Sequence, residues 1–391
     1  MDQDKNRNLI FISLSQFCMA FSVNFVTVIL PFFIFKISPY SSQETLLWVG
    51  WIMGSSSIVM TIASNFWGFL TSRFSPKLLY LRAILAYIVL FLLMGFTSNL
   101  TLLLILRIIQ GVFGGVSTVG LVIVSSSTSR ERISAEIGFF QTFQTLGHLV
   151  GPLIGALAAS VFGYTGAFVS VSVVLLVVSV FYYFYVTDVP LQPEKESFFG
   201  RSTINRHTVL GWLLCFMVMV QLVFLPSILP NVFEKFSMEK NIALKWAGVV
   251  IMLYTATATF STYFWTKFSG RIGRDRMILL LVILGSLFQS LLSFSSGTTD
   301  FIVIRMIQTG LIAGTIPLVV SIFAEEQKGN VIGFLNSARF AGNALGPIMA
   351  TSVLALSNLT SLYLLVSGLT LFALFAFKFS FRCPNPNERS V

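Results

Sequence analysis

The sequence predicts an all-α integral membrane protein whose twelve transmembrane helices form two pseudo-symmetric six-helix bundles, and three observations carry that prediction. The 391 residues are 55% hydrophobic and only 10% charged, with a mean hydropathy of +0.85, whereas soluble domains carry about 25% charge. Apolar runs long enough to span a bilayer as a helix recur from Asn8 to Ser380. Short signatures then return at a nearly constant offset, the mark of a duplicated unit. The runs are continuous rather than alternating, which excludes a β-barrel.

Broken at Pro, Gly and charge clusters, the runs give spans near 9–35, 46–71, 78–97, 100–126, 135–160, 164–186, 208–233, 244–268, 277–296, 300–324, 331–355 and 358–380. The first is too long for the apolar core of a cleaved signal and no small-residue cleavage site follows it, so it is expected to stay as a span. Between the sixth and seventh lies the only long hydrophilic stretch, polar and proline-bearing from Asp188 onward. It divides the chain into a bundle over 1–187, a cytoplasmic linker over 188–207, a second bundle over 208–380 and a cytoplasmic tail over 381–391. With both termini inside, seventeen basic residues fall on cytoplasmic segments and four on outer ones, the remaining four lying within helices. Basic residues are retained inside during insertion, so this asymmetry sets the orientation, and the net charge of +10 belongs at a lipid surface rather than on nucleic acid. A bacterial inner membrane is the expected location. Cys18, Cys215 and Cys383 lie far apart and offer neither a disulfide framework nor a metal-ligand spacing.

The repeat is specific. Arg73 and Arg107 recur as Arg271 and Arg305, both 198 residues on. Arg107, Gln110 and Gly111 in the fourth span match Arg305, Gln308 and Gly310 in the tenth, with one extra residue before the last glycine. In the fifth and eleventh spans Gly138, Gly147, Gly151 and Pro152 match Gly333, Gly342, Gly346 and Pro347 at identical spacing. Six spans return the chain to the same side, so the halves are parallel. Small residues at such spacing let helices approach closely, and a proline frees a carbonyl and permits a kink; ordinary close packing is the bland reading of the same residues.

On these residues the chain resembles the major facilitator superfamily, and within it the twelve-helix drug:proton antiporter branch. Gly138, Gly147, Gly151, Pro152 and Gly155, with Ala156 in place of a final glycine, match the branch's fifth-helix antiporter motif. Arg107, Gln110 and Gly111 match its fourth-helix motif. The loop after the second helix matches only partly: Gly68, Leu70, Arg73 and Lys77 are kept, but Ser72 stands where the family has an aspartate, and the repeat around Gly270, Arg271, Gly273 and Arg274 also lacks the acid. In the family that acid helps latch the halves in one conformation, so the resemblance puts this part of gating in question. It implies a conformational role for Gly68, Arg73, Gly147, Gly151, Pro152, Gly155, Arg271, Gly273, Gly342, Gly346 and Pro347, and a moving seal between halves at the fifth and eleventh helices.

An arginine near the bilayer centre costs at least about 2.5 kcal/mol and needs an aqueous cavity or a partner. Arg82 is close enough to a helix end to snorkel. Arg107 and Arg305 lie a third of the way into their spans, and Arg339 lies deeper, with Gln144 as its repeat partner. With Asn24, Gln110, Gln141, Gln221, Asn336 and Asn343 they are expected to line a polar central cavity, a structural hydrogen-bond network being the competing reading. All fifteen acidic residues fall in tails, loops or span ends, and the first span offers only Ser13, Ser15, Gln16, Asn24 and Thr27 as polar groups. His148 is the one embedded group that titrates near neutral pH. It is the candidate for proton coupling, although its repeat partner, Asn343, does not titrate.

No Gly-Lys-Ser/Thr phosphate loop occurs, which excludes an ATP-driven pump within this chain. No intramembrane aspartate pair or His-Glu-x-x-His is present, which disfavours a membrane enzyme. No cofactor or metal is implied. The reading is a secondary active transporter, expected to be a monomer, in which two bundles rock around a midplane cavity and a proton or other ion couples to a small molecule. The antiporter motif favours efflux of drugs or other amphipathic compounds. The acid-free, arginine-bearing interior favours instead a small anionic or zwitterionic solute, such as an organic acid, phosphonate or carboxylate siderophore.

Overall fold

A computed structural model describes residues 2–128, 132–189, 205–326 and 330–380. Most of the linker expected over 188–207, and all of the tail over 381–391 with Cys383, lie outside them. The described residues form helices and connections, with no strand among them. In chain order the helices are α1 (Asp2–Ile37), α2 (Ser42–Leu70), α3 (Pro76–Phe96), α4 (Leu100–Val112), α5 (Val116–Ser127), α6 (Ile133–Tyr185), α7 (Arg206–Val223), α8 (Leu229–Lys235), α9 (Lys240–Ile272), α10 (Arg274–Leu291), α11 (Thr298–Ile312), α12 (Thr315–Glu326), α13 (Asn330–Leu356) and α14 (Leu359–Ser380).

Local chemistry sets several of these limits. Ser41, Ser75 and Asn99 each accept the backbone N–H three residues on, at Glu44, Leu78 and Leu102, and Pro76 follows Ser75 at the first helical position. A short polar side chain there satisfies one of the amide groups that the first turn leaves without a partner.

Among the described residues ten helices are long and apolar enough to cross a membrane. One of them, α6, has 53 residues, roughly 80 Å at 1.5 Å per residue, far more than a bilayer core of about 30 Å. It is two spans joined at Gly163, whose φ of 70° and ψ of 175° are left to glycine because a Cβ there would crowd the neighbouring carbonyl. Counted as two, α6 brings these spans to eleven among the described residues, and α13, with 27 residues including Pro347, lies where the eleventh predicted span does.

Three spans expected to be continuous are broken. The fourth divides into α4 and α5 at Phe113–Gly115, where Gly115 has a φ of 88° and lies against the Ser64 backbone of α2. The tenth divides into α11 and α12 beside Gly314, which packs on Trp265. In the seventh, Pro226 and Pro230 accompany a 3-10 turn over Leu225–Ile228 between α7 and α8.

Contacts divide the chain into two compact units, Met1–Glu196 with Met238–Met252, and Ser197–Ser237 with Leu253–Val391. In the first, α6 packs along α1 and α3, and α2 along α4. In the second, α7 is flanked by α13 and α14, and α10 by α11 and α14. The pairing of α1 with α6 thus returns as α7 with α13, as a parallel duplication requires. Large apolar side chains such as Phe184, Phe260, Phe294 and Phe372 are exposed, the exterior that lipid accepts.

Candidate functional site

The fourth-span motif of the first unit closes on its own neighbours. Arg107 is 6% exposed. Its Nε donates to the Ile52 carbonyl at 3.0 Å, one terminal nitrogen to the Met53 carbonyl at 3.2 Å, and the other to Gln110 Oε1 at 2.6 Å. The reach is possible because Gly111 lets α2 approach α4, a Cβ there falling 2.5 Å from the Ser56 carbonyl. One turn on, Trp67 Nε1 donates to the Val112 carbonyl at 2.6 Å, satisfying an acceptor released where α4 ends.

The corresponding residues of the second unit make a different cluster. Arg305 is fully buried. One terminal nitrogen donates to Gln308 Oε1 at 2.8 Å and lies 3.5 Å from Gln289 Oε1, and the other donates to the Leu222 carbonyl at 3.1 Å. Gln308 Nε2 donates to Gln221 Oε1 at 2.8 Å, Gln221 Nε2 to Thr370 Oγ1 at 2.7 Å, and Thr370 to the Val366 carbonyl. The guanidinium also lies over the rings of Tyr254 and Phe224, at 4.8 and 5.3 Å. Trp265 Nε1 donates to the Gly310 carbonyl at 2.7 Å, repeating Trp67 198 residues later.

In place of the expected cavity lining, then, Arg107, Gln110, Gln221 and Arg305 stand inside the packing of their units. Of the other candidates, Gln141, Asn336 and Arg339 are exposed, while Asn24, Gln144 and Asn343 are half-buried. Two smaller groupings lie between α1 and its neighbours in the first unit. Asn24 Nδ2 donates to the Ala20 carbonyl at 2.9 Å and lies 2.6 Å from His148 Nδ1. Gln144 and Gln16 both donate to Ser117 Oγ, at 3.1 and 2.7 Å, and Tyr80 donates to Gln16 Oε1 at 3.1 Å. Tyr80 and Ser117 went unnoticed in the sequence because a hydroxyl in an apolar run has no signature of its own. Gln16 was visible as a polar residue in the first span, without a partner to give it meaning.

The glycines whose spacing repeats between the halves seat helices within each unit. A Cβ on Gly147, Gly151 or Gly155 would fall 2.4–2.6 Å from the backbone carbonyls of Phe17, Phe21 and Phe25 on α1. On α13 the same positions meet side chains of α7, Met219 Cβ at 2.6 Å from Gly342 and Val223 Cγ2 at 2.9 Å from Gly346. Pro152 and Pro347 are buried, and in the first unit the Pro152 carbonyl and Ala156 meet Gly248 of the Met238–Met252 segment. Gly68 would bring a Cβ to 3.3 Å from Thr118, and Arg73 lies over Phe69 at 5.0 Å. Arg271 is exposed in the last turn of α9, and Gly273 begins α10 with a φ of 93°.

The family model of the Major Facilitator Superfamily matches residues 12–308 and 211–391. The chain is 25% identical over 381 residues to the multidrug resistance protein MdtG of Dickeya zeae, covering 94% of this chain and 93% of the relative. It is 24% identical over 379 residues to MdtG of Salmonella arizonae, with the same coverage. Among solved structures the nucleoside transporter NupG superposes with a TM-score of 0.80 at 14% identity, over 97% of this chain and all of that one. The parallel duplication, the paired arginine motifs and these matches across the whole length place the chain in the major facilitator superfamily of membrane transporters.

Proposed function

We propose that the protein exports chemically varied, small amphipathic compounds by alternating access, coupled to proton entry. The observation that carries this reading is the match over 94% of the chain to relatives named as multidrug resistance proteins. Bundles over 1–187 and 208–380, joined by a cytoplasmic linker over 188–207, are the rocking bodies, working as a monomer in a bacterial inner membrane with both termini inside.

His148 is the proton-coupling group in this scheme, and its contact with Asn24 supports the assignment. Asn24 Nδ2 carries two hydrogens, one directed to the Ala20 carbonyl and one to His148 Nδ1. His148 Nδ1 then accepts, which places the ring proton on Nε2 in the neutral form. Protonating Nδ1 sets two N–H groups against each other, so Asn24 must turn and release Ala20. Proton uptake on α6 is thereby transmitted to α1. The exposed Gln141 and half-buried Gln144 are the substrate contacts proposed in the first unit, and the exposed Asn336 and Arg339 with the half-buried Asn343 those proposed in the second.

The test is flux of a lipophilic dye in proteoliposomes under an imposed pH gradient. Uphill dye movement that a protonophore abolishes is expected, and His148→Asn lowers its rate by about a hundredfold or more, the scale of a lost proton-transfer group, while dye–dye exchange persists. Uphill movement insensitive to the protonophore overturns proton coupling, and unchanged uphill movement in His148→Asn removes that residue from it.

A further inference from the structure

We propose that Ser117 and Gln144 form a hydrogen-bond-donating subsite that selects transported compounds carrying an uncharged oxygen acceptor, such as a carbonyl or an ether. Ser117 is the second residue of α5, directly after the break at Phe113–Gly115. A serine inside a helix often donates to the carbonyl four residues back, as Ser15 and Ser22 do on α1. For Ser117 that carbonyl belongs to Phe113, on the far side of the turn that Gly115 makes with a φ of 88°. Among the described residues Ser117 has two side-chain hydrogen bonds, and it accepts both, from Gln16 Nε2 and from Gln144 Nε2. A hydroxyl oxygen has two lone pairs and one hydrogen. Both lone pairs are taken, so the hydrogen is left to donate.

The buried end of the network fixes its direction. Tyr80 is fully buried, and among the described residues its hydroxyl has one partner, Gln16 Oε1 at 3.1 Å. Turning the Gln16 amide over leaves the Tyr80 hydrogen buried without an acceptor, so Oε1 faces Tyr80 and Nε2 faces Ser117. The Gln144 amide is free of that constraint. With its Nε2 toward Ser117 the serine hydrogen points outward; with its Oε1 there, the serine donates to Gln144 and the amide hydrogens point outward instead. In both arrangements the pair ends in a donor, and hydrogen bonds passed along such a chain strengthen one another. Tyr80 and Gln16 are buried while Ser117 and Gln144 are half-buried, so the donating end is also the accessible one. All four groups are uncharged, which suits an uncharged acceptor better than a carboxylate, whose desolvation they do not offset. The network lies wholly within the first unit. The inference rests on the export reading, in which Gln144 is a proposed contact, and adds Ser117 and the class of group that the two residues take.

The experiment measures KM for uphill transport in proteoliposomes of two probes, para-benzoylbenzyl-trimethylammonium and para-benzylbenzyl-trimethylammonium, which differ only in a carbonyl replaced by a methylene. The preference for the ketone, taken as the ratio of the two KM values, is expected to fall about tenfold in Ser117→Ala, the worth of one hydrogen bond. Tyr80→Phe keeps the ring that stacks on Tyr182 but lets Gln16 turn its Oε1 toward Ser117 and take the serine hydrogen. With the two Gln16 orientations made equivalent, the same ratio is expected to fall about twofold, as half of the molecules lose the donor. A packing role for Tyr80 alone shifts both KM values together and leaves their ratio. A ratio unchanged in Ser117→Ala overturns the subsite and means that the hydroxyl serves only water, and a ratio unchanged in Tyr80→Phe overturns the fixed direction of the network. If neither probe moves uphill in the native protein, the export reading fails, and this inference with it.

Discussion

Arg107 and Arg305 occupy the same place in a duplicated motif, and the two units surround them in opposite ways. Arg107 spends two of its three nitrogens on backbone carbonyls of α2 and one on Gln110. Arg305 has one backbone partner, the Leu222 carbonyl, and otherwise depends on side chains: Tyr254, and glutamines whose own bonds run on through Gln221 and Thr370. The difference begins in the packing. Gly111 brings α2 close enough to α4 for its carbonyls to be reached, whereas the second unit offers side chains that must themselves be held. A helical carbonyl is a fixed acceptor that already has its own helix bond, while a glutamine is fixed only as long as its far end is satisfied. One motif is therefore robust to the loss of a neighbour and the other is not.

The largest effect expected from this contrast comes from the paired glutamines. Gln308→Leu removes the strongest partner of a fully buried cation and also strands Gln221 Oε1. A loss of about 3 kcal/mol is expected, the scale for leaving buried polar groups and a charge without partners. Gln110→Leu leaves Arg107 its two carbonyls and is expected to cost about 1 kcal/mol. Chemical denaturation of both variants in the same detergent measures the difference. Equal losses break the comparison, since they mean that backbone and side-chain acceptors hold a buried arginine alike.

Next in size is the contrast between the two helix seams. Gly147 meets the Phe17 carbonyl and the Phe21 nitrogen of α1, while Gly346 meets mainly a methyl of Val223. Backbone cannot rotate aside and a valine methyl can. Gly147→Ala is expected to destabilise the protein by about 2 kcal/mol, and Gly346→Ala by less than about 1 kcal/mol because ready repacking offsets the overlap. The same denaturation measurement decides it, and a larger loss for Gly346→Ala reverses the assignment of the tighter seam.

These contrasts also mark the limit of what could be read beforehand. The twelve spans, the repeat and the family follow from apolar run lengths and from residues such as Arg107, Gly151 and Pro152, because hydropathy and spacing are properties of the chain alone. The breaks at Phe113–Gly115 and beside Gly314 were not legible, since glycine inside an apolar run is equally compatible with a straight, tightly packed helix. Their place inside apolar spans marked Arg107, Gln221 and Arg305 as candidate polar lining. That place does not say whether the polar company is a cavity or a neighbouring helix, and for all three it is a neighbouring helix. Trp67 and Trp265, 198 residues apart like the arginines, were legible in principle. Their shared bond to the end of the following motif helix gives that spacing its physical meaning.

The smallest expected effect concerns the starts of α3 and α10. In the first unit Ser75 accepts the Leu78 N–H and donates to Asp188, whose other oxygen accepts the Lys77 N–H at 3.3 Å. The family pattern has an acid at the position of Ser72, and here Asp188, from beyond α6, brings a carboxylate to the start of α3 instead. In the second unit α10 starts at Gly273 with no side-chain cap. Ser75→Ala is expected to cost about 1 kcal/mol, the usual worth of an N-cap, at low and high salt alike. Asp188→Asn keeps the shape but loses the charge, and is expected to cost about 0.5 kcal/mol at low salt, since a charge beside a helix N-terminus is worth that much only while unscreened. Melting temperatures of the two variants across a salt series distinguish geometry from charge. An Asp188→Asn loss that persists undiminished in high salt shows that Asp188 holds α3 through hydrogen-bond geometry, and that the carboxylate does not act on the helix dipole.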